Sequence, residues 1–249
     1  MAIRKKKTGR GPDRIPPFTH VVPLGLSCRV TRQVRVCFGS WKVYPFDWWL
    51  TPLDGLTRYL AEPDVGRLYD PGSLAEVITR GEVSSICSTV FGFRLFHDFP
   101  RRPGANKLPA VVPDWRDHVV AAAARHEERL GRLLRLDRPG NRILFVRHRL
   151  VRQLGVPDGA ESGTALAALW DVLRSRWPQA EVRLLLVNFG PPCPLPAGVM
   201  RLDFEELPGP AGQAWSGDEG QWRRGFASLG LAVRPRIVMR LLRPLGSPG

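Results

Sequence analysis

The fold of this chain is decided by residues 24–30, which read LGLSCRV. The mostly apolar residues 20–24 predict a short buried strand, and Gly25 allows a sharp turn after it. Ser27 is a good helix N-cap, so Cys28 is expected to be the first residue of a helix. A thiol in that position feels the positive end of the helix dipole, which lowers its pKa. The alternative is that Cys28 is a buried structural cysteine.

Strands and helices alternate along the rest of the chain. Near-continuous apolar strands are predicted over residues 142–147, 181–188 and 198–204. Helices are predicted to begin at Cys28, Thr51, Asp114, Ser162 or Thr164, and Ser216. A further helix is expected over Ser73–Thr79 and an extended strand over Phe91–Phe99. This alternation predicts an α/β fold of three layers, with helices on both faces of a mostly parallel sheet.

The composition predicts a globular protein with one substantial core. The chain has 249 residues, of which 43% are hydrophobic. We expect a disordered basic leader over residues 1–17, a single α/β domain over 18–233 and a basic, proline-containing tail over 234–249. No run of eighteen apolar residues occurs and no apolar signal segment follows the basic start, so we expect no membrane span and a cytoplasmic location.

The net charge of +14 would suit a phosphate-rich partner. The excess arginine is spread along the chain, however, and the dense run Arg4-Lys5-Lys6-Lys7 lies in the predicted leader. A nucleic acid is therefore not favoured as the main partner. The four cysteines form no C-x-x-C pair and no glycine-rich phosphate-binding motif occurs, so neither a metal nor a nucleotide cofactor is expected.

Chemistry-bearing residues are predicted at one edge of the sheet. Ligands of parallel sheets bind beyond the carboxyl ends of the strands, where Cys28 follows the first strand and Asn188 ends another. A thiol nucleophile needs a base, and His97 is the best candidate because it follows an apolar strand beside Asp98. His148, at another strand end, is the second choice. Asn188 is a candidate substrate-binding residue.

The other histidines are weaker candidates for the base. His20 lies in the same predicted strand that precedes the cysteine. His118 and His126 are expected on the polar side of the surface helix that begins at Asp114. We therefore place none of the three beside the thiol.

An aspartate lies inside the most aromatic part of the chain, residues 41–49. A buried carboxylate needs hydrogen-bond partners or a positive charge. Asp47 is therefore expected to accept bonds from backbone amides or to orient a histidine or an arginine. Trp48 offers a ring on which a substrate can stack.

An ordered set of motifs resembles a bacterial family of uncharacterised proteins described as papain-like cysteine peptidases. The family pattern is S-L-G-x-N-C, then P-F-D-W, then H-D-F, then an I-L-F-[IV]-R strand. The matching segments here are LGLSC (24–28), YPFDWW (44–49), TPLDGL (51–56), FHDF (96–99) and RILFVRH (142–148). The resemblance covers about residues 20–190.

The resemblance implies a catalytic role for four residues: Cys28 as nucleophile, His97 as base, and Asp47 or Asp98 as the acid that orients the base. Ser27 stands where the family has asparagine, a natural oxyanion donor. The Ser27 hydroxyl and the backbone amide of Cys28 are the expected substitutes. The family description also implies a papain-like α+β fold as the alternative to the parallel α/β sheet.

Two classes of function follow from these observations. The first is a cysteine peptidase or a related thiol hydrolase or acyltransferase, in which Cys28 and His97 act on a peptide, amide or related acyl group. The second is a non-catalytic or glycan-related α/β protein in which Cys28 is structural, and Trp48 with nearby arginines contacts a sugar or an anion. The distance between the thiol and a histidine distinguishes the two.

Overall fold

The computed structural model describes residues 16–105, 109–149, 163–189 and 194–232. The predicted basic leader, up to residue 15, and the predicted tail lie outside the described residues. In order, the described elements are β1 (His20–Pro23), α1 (Cys28–Phe38), α2 (Leu53–Ala61), α3 (Val65–Leu68), β2 (Leu74–Thr79), β3 (Glu82–Ser88), β4 (Phe93–Leu95), β5 (Arg101–Pro103), β6 (Pro109–Val111), α4 (Val119–Leu134), β7 (Arg142–His148), α5 (Gly163–Arg176), β8 (Glu181–Val187), β9 (Val199–Leu202) and α6 (Glu219–Ser228).

A four-stranded parallel sheet forms the centre of the fold. Its strand order is β1-β7-β8-β9, and each neighbouring pair is parallel. The strands β2, β3 and β4 form a separate antiparallel sheet, and β5 pairs with β6. The predicted α/β class with a mostly parallel sheet is confirmed, and the papain-like α+β alternative does not describe this topology.

The two faces of the parallel sheet are covered by different helices. On one face, α1 and α6 pack against side chains such as Leu144 and Leu185. On the other face, α2, α4 and α5 share a larger core with side chains such as Phe145 and Leu184. Alternation of side chains along a strand explains why adjacent residues of β7 and β8 enter different cores. This arrangement gives the three predicted layers.

The segment predicted as a helix over Ser73–Thr79 is instead strand β2, so that prediction is wrong. Arg80 and Gly81 both have positive φ, which is the geometry of a tight hairpin turn between β2 and β3. Strand β2 reads LAEVIT, and its residues pair with β3 along the whole strand, with one register irregularity between Val77 and Ile78. Local spacing suggested a helix, but the turn and the partner strand decide the structure.

Two predicted element boundaries also need correction. The extended segment over Phe91–Phe99 contains only the short strand β4, and residues 96–99 form a bend. Helix α6 is capped by Asp218, whose side chain accepts a bond from the backbone N–H of Gln221, rather than by Ser216. Among the described residues, no helix is long and apolar enough to cross a bilayer.

Gly55 allows the close approach of α2 to the loop before β4. A Cβ added at this position would lie 1.9 Å from the carbonyl oxygen of Phe91. We therefore expect Gly55→Ala to lower the free energy of unfolding by about 2 kcal/mol, as overpacking against backbone does. The measurement is urea unfolding followed by tryptophan fluorescence.

Gly131→Ala is the matched control for this prediction. It also lies in a helix, but its added Cβ would meet only the far end of the Arg135 side chain, at 3.2 Å. Because alanine is the better helix former, this variant should be at least as stable as the parent. Equal stability of the two variants would contradict the proposed close approach.

Candidate functional site

Cys28 lies where the sequence predicts it, at the first residue of α1 just beyond the carboxyl end of β1. Gly25 makes the turn with φ of 77°. The thiol is half-buried, and its Sγ atom lies 3.7 Å from the carbonyl oxygen of Trp48, to which it donates. Leu26 and Trp48 both have positive φ, at 68° and 69°. Bulky residues adopt this conformation at a cost, and such strain is concentrated at functional sites.

The pKa of Cys28 is raised to about 11, which is opposite to the expected direction. Burial is the largest cause, because it disfavours the charged thiolate. A backbone hydrogen bond to the sulfur and the positive charge of Arg101 act in the lowering direction but do not outweigh burial. The resting residue is therefore a neutral thiol at neutral pH.

His97 lies on the bend after β4 and contacts Trp48, the residue whose carbonyl also meets the thiol. Its exposed ring meets the ring of Trp48 edge-on at 5.7 Å between centroids. Desolvation, followed by the positive charge of Arg101, lowers the pKa of His97. Among the described residues, the thiol and this imidazole form no hydrogen bond with each other. Both contact Trp48.

The two predicted orienting acids are bound to other residues. Asp47 is buried and pairs with Arg35 at 2.7 Å. Asp98 is buried, accepts a bond from the Tyr69 hydroxyl at 3.2 Å and lies 3.4 Å from Arg129. Burial raises the pKa of each carboxyl to about 6, despite these partners.

Neither aspartate pairs with His97 in the described part of the chain. Adjacent side chains of an extended segment point to opposite sides, and the bend after β4 does not bring those of His97 and Asp98 together. Asp98 turns into the core while His97 stays at the surface. In this structure Asp47 pairs with Arg35 and Asp98 with Tyr69 and Arg129, so neither lies against the imidazole of His97.

Ser27 takes part in a buried network that the sequence did not predict. Its Oγ lies 2.9 Å from Nδ1 of His148, and both residues are buried. Nε2 of His148 lies 3.0 Å from Oε1 of Glu206. Glu206 also accepts a bond of 2.6 Å from Arg29. The Ser27 hydroxyl is thus engaged by His148 in this structure.

This network joins both sequence neighbours of Cys28 to one carboxylate. Ser27 reaches Glu206 through His148, and Arg29 reaches it directly. Burial opposes ionisation of Glu206, but the contacts with His148 and Arg29 prevail and lower its pKa. The sequence did contain one signal: His148 ends β7, the strand that pairs with β1, and therefore lies at the edge where Cys28 begins its helix.

Asn188 and Trp48 complete the set of predicted substrate-binding residues. Asn188 directly follows β8, and its Oδ1 accepts a bond of 2.9 Å from the backbone N–H of Phe204. Its carboxamide oxygen therefore fastens the ends of β8 and β9. Trp48 is half-buried beside the thiol, and its ring meets that of Trp215 at 6.2 Å. Trp215 is 45% exposed.

Arginine and glutamine side chains of α1 hold the segment with Trp215 near the thiol. Arg29 donates to the carbonyls of Trp215 and Ala214, and Gln33 donates to the carbonyl of Ser216. The Trp215 ring is thereby held against Trp48, whose carbonyl the thiol contacts. The described residues contain no group of three or more potential metal-ligating side chains.

Comparisons with known proteins leave the site to be interpreted from its geometry. No protein-family model matches the chain, and no significant match was found among the curated proteins or the solved structures.

Proposed function

We propose that this protein is a thiol-dependent hydrolase or acyltransferase that uses Cys28 as its nucleophile and His97 as its base. The observation that carries the proposal is the setting of Cys28. It begins a helix beyond the first strand of a parallel sheet, and Leu26 and Trp48 near it have strained backbone. Trp48 contacts both the thiol and the ring of His97. The resemblance to papain-like cysteine peptidases supports the same pair of residues.

The raised pKa of Cys28 determines how such a reaction would begin. A neutral thiol attacks a carbonyl only if a base removes its proton during the attack. His97, whose pKa is lowered, is neutral at pH 7 and able to accept that proton. The S–C bond then forms as the thiol proton moves to His97, and His97 protonates the leaving group. Water attacks the resulting thioester and releases the acid and the free thiol.

Acetylation by p-nitrophenyl acetate tests the proposal directly. The thiol of Cys28 would take the acetyl group and p-nitrophenol would leave, giving a thioester that mass spectrometry locates. We expect Cys28 to be acetylated faster than the half-buried Cys87. His97→Ala should slow this step about a hundredfold at neutral pH, at the lower end of the range of general-base effects.

Cys28→Ser is the control that assigns the acetyl group, and His97→Gln tests whether a polar but non-basic side chain suffices. The proposal fails if Cys28 is acetylated no faster than Cys87, or if His97→Ala leaves the rate unchanged. His97 is exposed and Cys28 is half-buried, so we expect all three variants to fold. Far-ultraviolet circular dichroism checks this.

The second candidate is a non-catalytic or glycan-related protein with a structural Cys28. It is favoured by one observation, the partly exposed pair of Trp48 and Trp215 with Arg35 located 5.2 Å from the Trp48 ring. In that case, oligosaccharides should quench tryptophan fluorescence in the parent and in Cys28→Ser to the same extent. Binding that requires the thiol would count against this second candidate.

A further inference from the structure

The acidic residues near Cys28 are each paired with an arginine. Glu206 pairs with Arg29, and Asp47 pairs with Arg35. These pairs place opposite charges 2.6 and 2.7 Å apart, so each largely cancels its own field at the thiol. The carboxylate beside His97 is likewise turned toward Arg129, at 3.4 Å.

Arg101 differs from these arginines because its hydrogen-bond partners among the described residues are all backbone carbonyls. Its Nε and Nη2 atoms donate to the carbonyl of Phe96, the residue before His97, at 2.8 and 2.5 Å. Nη2 also donates to Ser84 and Nη1 to Pro109, both at 2.7 Å. Four of the five N–H groups are thereby used, and none meets a carboxylate within the described ranges. The guanidinium is fixed in place and keeps its full positive charge.

The charge of Arg101 acts on both proposed catalytic groups. Burial dominates the pKa of Cys28 and of His97, and in each case Arg101 pushes the pKa downward. Arg101 is only partly buried, and the rings of Trp48 and Trp215 beside the thiol are partly exposed. An approaching substrate therefore meets aromatic surface and the charge of Arg101, which no carboxylate of the described residues pairs with.

We propose that the site takes acyl substrates that carry a negative charge, such as a carboxylate or a phosphate, close to the reacting carbonyl. Arg101 supplies the positive charge that attracts them and that stabilises the oxyanion formed by thiol attack. This inference rests on the function proposed above. It adds a substrate class, which neither the motifs nor the resemblance provides.

Two alkylating agents of nearly equal shape test this substrate class. Iodoacetate is an anion and iodoacetamide is neutral, and both transfer a two-carbon group to the thiol with loss of iodide. We would measure the rate constant of each at Cys28 by peptide mass spectrometry at low ionic strength. The rate constant for iodoacetate divided by that for iodoacetamide should fall three- to tenfold in Arg101→Gln. The same ratio should stay near the parental value in Arg101→Lys.

Arg102→Gln is the matched control. It removes the same charge from the next residue, but Arg102 is exposed and pairs with Glu82 at 2.7 Å. Its ratio should remain within twofold of that of the parent. Equal ratios in the two glutamine variants would overturn the proposal, because the effect would then come from net charge alone.

If Arg101→Gln does not fold, the same substrate class can be tested on the parent protein by comparing its folded and urea-unfolded states. The ratio at Cys28 in the folded protein should exceed the ratio at the same residue in urea, and 0.5 M salt should reduce the difference. Equal ratios in the folded and unfolded protein would overturn the proposal. Alkylation needs no turnover, so it reports the charge at the thiol even if the acetylation experiment fails. The two experiments therefore distinguish failure of the proposed function from failure of the proposed substrate class.

Discussion

Replacing Glu206 with alanine is expected to lower the free energy of unfolding by about 3 kcal/mol, as is typical when one member of a largely buried ion pair is removed. The change takes away the carboxylate that Arg29 and His148 share. Those two residues connect α1 and the end of β7 to the segment after β9. Chemical denaturation followed by tryptophan fluorescence measures the loss.

The pH dependence of this loss has a definite sign. The pKa of Glu206 is lower in the folded protein than its usual value of 4.5. Its contribution is therefore fully present above pH 4.5 and disappears as the pH falls through the folded pKa. The difference between the parent and Glu206→Ala should accordingly shrink in acid.

Glu205→Ala is the control for this experiment. Glu205 precedes Glu206, is exposed and has the same charge, so its loss should change the free energy of unfolding by at most about 0.5 kcal/mol. Hydrogen exchange gives a second measurement, because amides of residues 26–30 should exchange faster only in Glu206→Ala. Identical stability of the two variants would show that the network does not hold the turn before Cys28.

The parallel sheet and its first helix could be predicted because their signals are local. A strand buried on both faces is a continuous apolar run, and β7 and β8 have that form. The start of α1 follows from the turn at Gly25, although the Ser27 side chain bonds His148 and makes no capping hydrogen bond. The hairpin of β2 and β3 could not be predicted in this way, since it depends on a turn at Arg80 and Gly81 and on pairing with a partner strand.

The candidate site was only partly predictable, for a related reason. Cys28 and His97 lie on segments with recognisable local patterns, but the contact between Arg29 and Glu206 joins residues 177 positions apart. Nothing near Glu206 in the sequence indicates its partner. The direction of the Cys28 pKa also depends on burial, which overrides the helix dipole and cannot be inferred from a helix start alone.

His126 shows that a signal can be present and still be misinterpreted. The sequence places it on the polar side of α4, but it is fully buried. Ala122, His126 and Leu130 recur at intervals of four, which is the spacing of a single helix face, and all three point into the core. The imidazole therefore takes a core position despite its polarity.

The surroundings of His126 keep its imidazole neutral. Its ring stacks on Trp49 at 4.8 Å between centroids, and its Nε2 is hydrogen-bonded to the Tyr59 hydroxyl at 2.7 Å. The Nδ1 atom has no hydrogen-bond partner among the residues that the structure describes. Burial, followed by the charge of Arg129, lowers the pKa of His126 to about 3.

Acid should therefore destabilise the protein through His126. Below pH 6.5 the unfolded chain binds a proton at this residue, while the folded protein does not until the pH approaches 3. The unfolded state then holds more protons, so the free energy of unfolding falls as the pH is lowered across this window. The loss reaches about 5 kcal/mol at its lower end, at 1.36 kcal/mol for each pKa unit.

His126→Gln isolates this contribution from those of Asp47 and Asp98, which titrate in both proteins. Glutamine can still accept the Tyr59 hydroxyl bond, but it takes up no proton. The advantage of the parent over this variant, measured by urea unfolding from pH 7 to pH 4, should decline steadily. His118→Gln, at the more exposed start of the same helical segment, should leave the pH dependence like that of the parent. A constant difference between the parent and His126→Gln would mean that the imidazole can be protonated in the folded protein, and the close packing of Trp49 and Tyr59 around it would then have to open in acid.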